Sequence, residues 1–264
     1  MFFFKKKKED SHRNLQDEEF DYDESLMPSS NLATYVGSVT AENFKQIGIK
    51  AVHQFKTLGG LRHTDHVLEV GCGIGRIAIP LTHLLSKGSY QGFDIVRHGI
   101  EWCQNKITPK FPNFQFQWVD IYNKTYNPTS QCLATDYQFP YSDEVFDFTF
   151  LTSVFTHMLP MDLQHYLGEI NRTLKDGGTC YFTAFLINED VRRRLSISKR
   201  SFHNVGDYWT LNPASHEDGI GYDQIMIENW VRSQGFAISK ICYSHWWATG
   251  KGQDIVVVKK YRAV

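Results

Sequence analysis

A glycine-rich turn at residues 69–75, which reads Glu-Val-Gly-Cys-Gly-Ile-Gly, carries the strongest chemical signal in this sequence. It follows a short apolar segment and precedes a segment with helical spacing. Glycines at such a turn allow a ligand to approach the backbone, and the N-terminus of the following helix offers unpaired N–H groups. We therefore expect Gly71, Gly73 and Gly75 to bind a cofactor, with Cys72 packed within the turn.

The spacing of these glycines distinguishes between two kinds of cofactor. A dinucleotide site with the pattern G-x-G-x-x-G requires a third glycine at position 76, but that residue is Arg76. The sequence instead has G-x-G-x-G, and the acidic residue Glu69 precedes it. The spacing therefore disfavours a nicotinamide-dependent oxidoreductase.

Three acidic residues are predicted to lie at one edge of the sheet, where the strands that carry them end. Glu69 lies in the first predicted strand, Asp94 ends the second strand 19 residues beyond Gly75, and Asp120 ends the third. Ligands of open α/β sheets bind outside the carboxyl ends of the strands, where an acid at the second strand can accept both hydroxyls of a ribose. Either Asp94 or Asp120 alone would be read as a helix cap or loop carboxylate. Together with the glycine turn, they predict a ligand cleft.

The elements that must position these residues alternate between strand and helix patterns. This alternation predicts an α/β fold with a doubly wound, mostly parallel sheet of seven strands. The last two strands are joined by residues 248–252, too few for a helix, so they should form an antiparallel hairpin at the C-terminus. The predicted strands are 66–70, 90–95, 114–120, 146–152, 179–185, 236–246 and 254–260.

Composition excludes several classes of protein. The chain has 264 residues and a net charge of −1, which disfavours a nucleic-acid binder because phosphate contacts require a surplus of Lys and Arg. No apolar run approaches the roughly 18 residues of a membrane span. The five cysteines form no CxxC pair, so we expect no structural zinc site or disulfide framework and a reducing, cytoplasmic location. The carboxylates show no ligand spacing with His that indicates a metal, and a magnesium-dependent catechol-type activity stays as an open alternative.

The order of motifs along the chain resembles the class I S-adenosylmethionine-dependent methyltransferases. The resemblance lies in VLEVGCGIGRIAIPL, GFDI, the acid after the third strand, FPYSDEVFDFTF and LKDGG, and it covers about residues 60–260. It implies the cofactor S-adenosyl-L-methionine and the product S-adenosyl-L-homocysteine. Residues 151–158 further resemble uncharacterised bacterial methyltransferases, some of them associated with glycan or natural-product pathways.

The resemblance also implies a role for each cofactor-binding residue. The three glycines would pass under the methionine portion with Glu69 behind them, and Asp94 would hold the ribose hydroxyls. Asp120 would accept a hydrogen bond from the adenine amino group, with Ile121 packed near the ring. The implied cofactor-binding residues are Glu69, Gly71, Cys72, Gly73, Gly75, Asp94, Ile95, Asp120, Ile121, Thr152 and Ser153.

The predicted reaction is methyl transfer to a hydroxyl or amine of a small molecule, such as a sugar or a secondary metabolite. A hydroxyl acceptor needs a base, for which His157 is the first candidate and His245 the second. Aromatic rings would orient the acceptor. The predicted acceptor pocket contains His203, Tyr208, Trp209, Tyr222 and Trp246, with Tyr35 and Tyr126 as additions. The alternative is a catalytically inactive methyltransferase-fold module that binds a partner.

The predicted domain organisation has two parts. Residues 1–27 carry opposite charge blocks and are expected to form a disordered tail. Residues 28–264 are expected to form one methyltransferase domain, with an N-terminal helical extension at 28–60 and an insertion at 186–221 that supplies the acceptor pocket. Neither the methyl acceptor nor the oligomeric state follows from the sequence.

Overall fold

Short apolar segments form the central strands, because a parallel sheet covered on both faces buries nearly every side chain. The structure is a computed structural model that describes residues 22–33, 36–37 and 40–261. In chain order the strands are β1 (His66–Val70), β2 (Ser89–Asp94), β3 (Phe114–Trp118), β4 (Phe146–Leu151), β5 (Leu174–Ile187), β6 (His203–Asn204), β7 (Trp209–Thr210), β8 (Ile220–Asp223), β9 (Phe236–Cys242) and β10 (Asp254–Lys260).

The principal sheet has the strand order β3-β2-β1-β4-β5-β10-β9. The first five of these strands are parallel to their neighbours, whereas β10 runs antiparallel to both β5 and β9. The predicted α/β class, the mostly parallel sheet and the antiparallel C-terminal strands are confirmed. Because β1 and β4 are adjacent and the chain leaves them in opposite directions, their carboxyl ends border a crevice.

Helices cover both faces of the sheet, and two features of the sequence explain where some of them begin. Thr40 caps the helix that begins at Ala41, since its hydroxyl accepts a hydrogen bond from the Asn43 N–H at 3.0 Å. Pro80 lies in the first turn of the helix that begins at Ala78, where a backbone N–H has no partner within the helix. The helices are α1 (Ser30–Ala33), α2 (Ala41–Gln54), α3 (Ala78–Leu84), α4 (Arg97–Lys106), α5 (Pro160–Thr173), α6 (Glu189–Arg194), α7 (Gln224–Ser233) and α8 (Trp246–Thr249).

The hydrophobic core is divided into two layers by the sheet. Val257 packs in the layer that contains α2, α3 and α4, whereas its neighbours Val256 and Val258 pack in the layer that contains α5 and α7. Successive side chains of a strand point to opposite faces, so one strand supplies both layers. Within the described part of the chain, no helix is both long and apolar enough to cross a membrane.

The insertion at 186–221 contains regular structure that the sequence did not predict. Three short strands, β6, β7 and β8, extend the sheet from the end of β5, where Phe185 pairs with Gly221. The sheet of the described residues therefore has ten strands rather than seven. Strands of two to four residues are too short to show an alternating pattern, which is why this region reads as irregular.

The predicted C-terminal hairpin is correct in pairing but not in its bounds. The strand expected at 236–246 ends at Cys242, and Trp246–Thr249 forms the one-turn helix α8. The buried Asp254 carboxylate accepts hydrogen bonds from the Ser244 N–H and the Trp246 Nε1–H, both at 2.9 Å. These bonds turn the chain inward after Cys242.

Residues 22–27 of the charged tail predicted at 1–27 are ordered against the domain, contrary to the prediction. Residues 1–21 of that tail lie outside the described part of the chain. Residues 24–26 form a 3₁₀ turn capped by Asp23, and Tyr22 and Leu26 are buried in the core layer of α2. Two apolar side chains among the acidic residues therefore anchor residues 22–27 to the domain.

Candidate active site

A cleft of about 390 Å³ opens at the carboxyl ends of β1, β2 and β4. This volume lies in the range of small-molecule and cofactor sites, roughly 300–1,000 Å³. The glycine turn forms one wall, and the segment after β4 forms another. The predicted residues that line it are Glu69, Gly71, Cys72, Gly73, Asp94, Ile95, Ile121, Thr152, Ser153, His157 and Tyr126.

A left-handed backbone conformation and close contacts explain why glycine occupies positions 71 and 73 of the turn. Gly71 and Gly73 have φ angles of +76° and +55°, which side-chain-bearing residues rarely adopt. A Cβ atom at Gly71 would collide with the Val154 side chain, and one at Gly73 would lie 2.6 Å from a Val36 methyl group. The turn therefore presents bare backbone to the cleft.

Gly75 does not line the cleft, contrary to the prediction. Its φ of +73° continues the turn, but a Cβ there would lie 2.7 Å from Ile107 Cδ1 and 3.1 Å from Cys103 Sγ. This glycine therefore allows α4 to pack closely against the turn.

Asp120 also lies outside the cleft, where it is exposed and accepts a hydrogen bond from Asn127 Nδ2 at 2.9 Å. Strand β3 ends at Trp118, two residues before the predicted end. The buried Val119 and Ile121 on either side of Asp120 turn inward, so the carboxylate points to solvent.

Asp94 links the end of β2 to the glycine turn. Its Oδ2 accepts the Gly73 N–H at 2.7 Å and its Oδ1 accepts the Val96 N–H at 2.8 Å. Burial raises the pKa of the Asp94 carboxyl, and these backbone hydrogen bonds oppose the rise. Each carboxylate oxygen retains acceptor capacity toward the cleft.

Glu69 is a second buried carboxylate beside the turn. The Tyr90 hydroxyl donates a hydrogen bond to it, and burial raises the pKa of the Glu69 carboxyl well above its usual range. The two carboxylates beside the turn, Glu69 and Asp94, are therefore both largely shielded from solvent.

Ser153 has a strained backbone at the end of β4, with a φ of +61°. Its N–H donates to Thr183 Oγ1 at 2.8 Å, and its hydroxyl donates to Gln253 Oε1 at 3.2 Å. Partners on β5 and before β10 thus hold Thr152 and Ser153 against the cleft.

His157 lines the same cleft, at the end of a 3₁₀ turn that spans Phe155–His157. Its Nδ1 lies 2.6 Å from the carbonyl oxygen of Glu217, a residue of the insertion. The Tyr126 ring contacts the imidazole edge-on, with ring centroids 5.9 Å apart. The first candidate base is therefore both at the cleft and held in orientation.

The other candidate base and the predicted acceptor pocket lie away from the cleft. His245 is exposed and precedes α8, and Trp246 is 1% exposed in a separate core cluster with Phe185. Tyr222 is buried and donates to the Met158 carbonyl. The burial of Tyr222 follows from pairing of β8 with β5, which the sequence did not predict, whereas Trp246 is held in the core by its bond to Asp254.

The remaining members of the predicted pocket are held within the insertion. His203 is exposed on β6, Tyr208 hydrogen-bonds to His216, and Trp209 Nε1 donates to Asp223 at 3.3 Å. Tyr35, the other predicted addition, lies outside the described residues. The insertion reaches the cleft through Glu217 instead.

Several residues that line the cleft were missed by sequence reasoning. Asp162 and Tyr166 come from the first turns of α5, where the pattern indicated only a helix. Val36 reaches the cleft from the N-terminal extension, where its carbonyl accepts a hydrogen bond from Arg76 Nη1. The arginine that excludes a dinucleotide pattern therefore anchors the extension over the cleft.

These residues fit S-adenosylmethionine. Asp94 can accept hydrogen bonds from two ribose hydroxyls, and the apolar Ile95 and Ile121 line the cleft where a purine ring needs contact. Bare backbone at Gly71 and Gly73 leaves room for the remainder of the cofactor. Fold and site together define the class of a Rossmann-like methyltransferase domain.

Comparison with known proteins agrees with this class. Residues 68–182 match the profile of a family described as a methyltransferase domain. This part of the chain is therefore similar to a methyltransferase domain, in agreement with the fit of the cleft to S-adenosylmethionine. A solved S-adenosylmethionine-dependent methyltransferase from Methanosarcina mazei superposes with a TM-score of 0.53 and 18% identity, over 81% of this chain and 98% of that one.

Among curated proteins, the chain is similar to two phthiotriol/phenolphthiotriol dimycocerosates methyltransferases, each 32% identical. The match with the Mycobacterium ulcerans protein covers 117 residues, 44% of this chain and 36% of that protein. The match with the Mycobacterium tuberculosis protein covers 134 residues, 51% of this chain and 41% of that protein. The chain thus spans about two fifths of the length of these relatives.

Proposed function

We propose that this protein transfers a methyl group from S-adenosylmethionine to a hydroxyl or amine of a small molecule. The observation that carries the proposal is that His157 lines the same cleft as the glycine turn and Asp94. A side chain able to take a proton thus lies beside the cofactor-binding residues, as general base catalysis requires.

We propose further that the acceptor is of the lipid or secondary-metabolite kind. Tyr122 and Tyr126 line the cleft and are both exposed, Tyr126 by 45%, so the cleft has an apolar rim. Exposed aromatic side chains at a cleft are suited to apolar or ring-bearing ligands. The names of the two mycobacterial relatives agree with this class of acceptor.

The residues of this chain would promote the reaction largely by positioning the cofactor and the acceptor relative to each other. Bound S-adenosylmethionine supplies a methyl group that is already activated by a sulfonium. Asp94 and the glycine turn hold the cofactor, and Thr152 and Ser153 border its path toward His157. For a hydroxyl acceptor, His157 takes the proton as the oxygen attacks the methyl group.

Two measurements test the proposal. Calorimetric titration with S-adenosylmethionine should give saturable binding, and label from S-adenosyl-[methyl-¹⁴C]methionine should pass to members of a panel of hydroxyl- and amine-bearing lipids and secondary metabolites. His157→Gln should retain cofactor binding and lose most transfer to a hydroxyl acceptor. Cofactor binding without transfer to any acceptor would favour an inactive binding module.

We also propose a reducing, cytoplasmic location. All five cysteines are free, and Cys72, Cys103 and Cys180 are buried. Free thiols persist in compartments that keep cysteines reduced.

A further inference from the structure

A loop of the insertion, residues 211–219, reaches the cleft as a strap. It connects the antiparallel strands β7 and β8, and its base is closed by a 2.8 Å hydrogen bond from the Leu211 N–H to the Gly219 carbonyl. The Asp218 carboxylate accepts hydrogen bonds from Asn212 Nδ2 at 2.7 Å and from the Ser215 hydroxyl at 3.0 Å. The strap therefore has a shape set by its own side chains.

One residue of the strap bonds to two sides of the cleft. The Glu217 carbonyl contacts His157 after β4, and the Glu217 carboxylate accepts the Lys124 N–H at 3.1 Å in the loop after β3. Lys124 Nζ also donates to the Ala214 carbonyl at 3.1 Å. The strap thus joins two loops that border the cleft.

The contact between Glu217 and His157 determines where the imidazole carries its proton. A backbone carbonyl can only accept a hydrogen bond, so Nδ1 of His157 must be the protonated nitrogen at 2.6 Å. In the neutral ring the lone pair then lies on Nε2, on the opposite edge of the imidazole. The nitrogen that can act as a base is therefore the one turned away from the strap.

We propose that Glu217 is a positioning residue, whose carbonyl holds His157 in the Nδ1–H tautomer and whose carboxylate holds that carbonyl in place. The inference rests on the proposed function, because the free Nε2 is useful only if His157 accepts a proton. It assigns the insertion the role of orienting the base. A displaced strap would no longer fix the tautomer of His157, so proton transfer would depend on the contact between Glu217 and His157.

The tautomer can be measured directly, without an acceptor. Protein with ¹⁵N-labelled histidine would be studied by long-range ¹H–¹⁵N NMR at about pH 8, above the ordinary histidine pKa of roughly 6.5. His157→Gln identifies the His157 signals. We expect the wild type to show Nδ1–H, whereas His157 in the Nε2–H form would overturn the proposal.

Two variants separate positioning from folding. Glu217→Ala removes the carboxylate that bonds Lys124, so the carbonyl is held less firmly against His157. We expect the ratio of Nδ1–H to Nε2–H to fall by up to about fivefold, the factor that corresponds to one typical hydrogen bond. Glu217→Gln retains an oxygen acceptor and should restore the wild-type ratio. A ratio unchanged in Glu217→Ala, with thermal unfolding showing a folded protein, would contradict the role of the carboxylate.

Titration of the same wild-type sample with S-adenosylhomocysteine reports separately on the proposed function. Failure to bind this product would overturn the methyltransferase proposal and leave the tautomer result standing. Binding together with an Nε2–H tautomer would overturn only the positioning role.

Discussion

The Asp94 carboxylate accepts a 2.7 Å hydrogen bond from the backbone N–H of Gly73, and so connects the end of β2 to the glycine turn of the neighbouring strand. The same carboxylate is buried in the cleft and faces the space assigned to the cofactor. One side chain thus shapes the turn and offers the acceptor atoms that a ribose requires.

Asp94→Asn should weaken binding of S-adenosylhomocysteine by about 1–3 kcal/mol, roughly 5- to 150-fold in affinity, because a charged acceptor is lost from a buried site. Calorimetric titration measures this change. Asp120→Asn is the matched control, since Asp120 is exposed outside the cleft, and its affinity should equal that of the wild type. Equal affinities for all three proteins would remove Asp94 from the site.

Gly71→Ala should destabilise the protein more than Gly60→Ala. Both glycines have nearly the same φ, +76° and +75°, so an alanine carries a similar backbone cost of about 1–2 kcal/mol at each. Only at Gly71 does the added Cβ meet a side chain, that of Val154. Chemical denaturation measures the difference, which Val154→Ala should reduce; identical losses would show that the turn has room for a methyl group.

Glu69 should make the ligand-free protein less stable as the pH rises. Burial raises the pKa of this carboxyl well above its usual value of 4.5, so the folded state holds a proton that the unfolded state has released. Stability is then greatest below about pH 4.5 for this group and is lost as the pH rises through the folded-state pKa.

Glu69→Gln cannot titrate and should flatten this decline, which urea denaturation at a series of pH values would reveal. Asp94 contributes with the same sign, so some decline should remain. Glu101→Gln makes the same chemical change at an exposed position of α4 and should leave the profile as it is. A Glu69→Gln profile parallel to the wild type would contradict the raised pKa.

Trp246→Phe should lower the free energy of unfolding by about 1–3 kcal/mol while cofactor binding stays unchanged. The indole is buried and donates to Asp254, and it lies outside the cleft. Trp247→Phe, at the half-buried neighbouring residue, should cost less. Weaker binding of S-adenosylhomocysteine in Trp246→Phe would return this residue to the binding site.

The sequence predicted the features that depend on short-range patterns. The positive φ at Gly71 and Gly73 favours glycine, so the turn is visible in the sequence. The apolar strand before the turn and the acid at the end of the next strand are likewise recognised from the spacing of nearby residues. The mostly parallel sheet followed from the alternation of strands with helices. His157 was found because it follows β4 closely, and the carboxyl ends of central strands meet at the cleft.

The predictions were wrong where a shift of one residue in the strand alternation, or a partner far away in the sequence, determines which way a side chain points. Strand β3 ends at Trp118, and the alternation of the following residues turns Asp120 to solvent while Val119 and Ile121 are buried. Trp246 resembled a pocket residue, but its bond to Asp254 draws it into the core. Such outcomes depend on which groups are paired and buried after folding.

The sequence by itself therefore determined the class of fold and the glycine turn, because backbone conformation and the spacing of apolar residues are local properties. Only the tertiary structure showed which residue of the insertion lines the cleft beside His157. Glu217 lies 60 residues from His157, in a segment without a recognisable pattern, and meets it only through the pairing of β7 and β8 beyond β5. A backbone carbonyl carries no sequence signature, so its contact with an imidazole becomes visible only when the chain has folded.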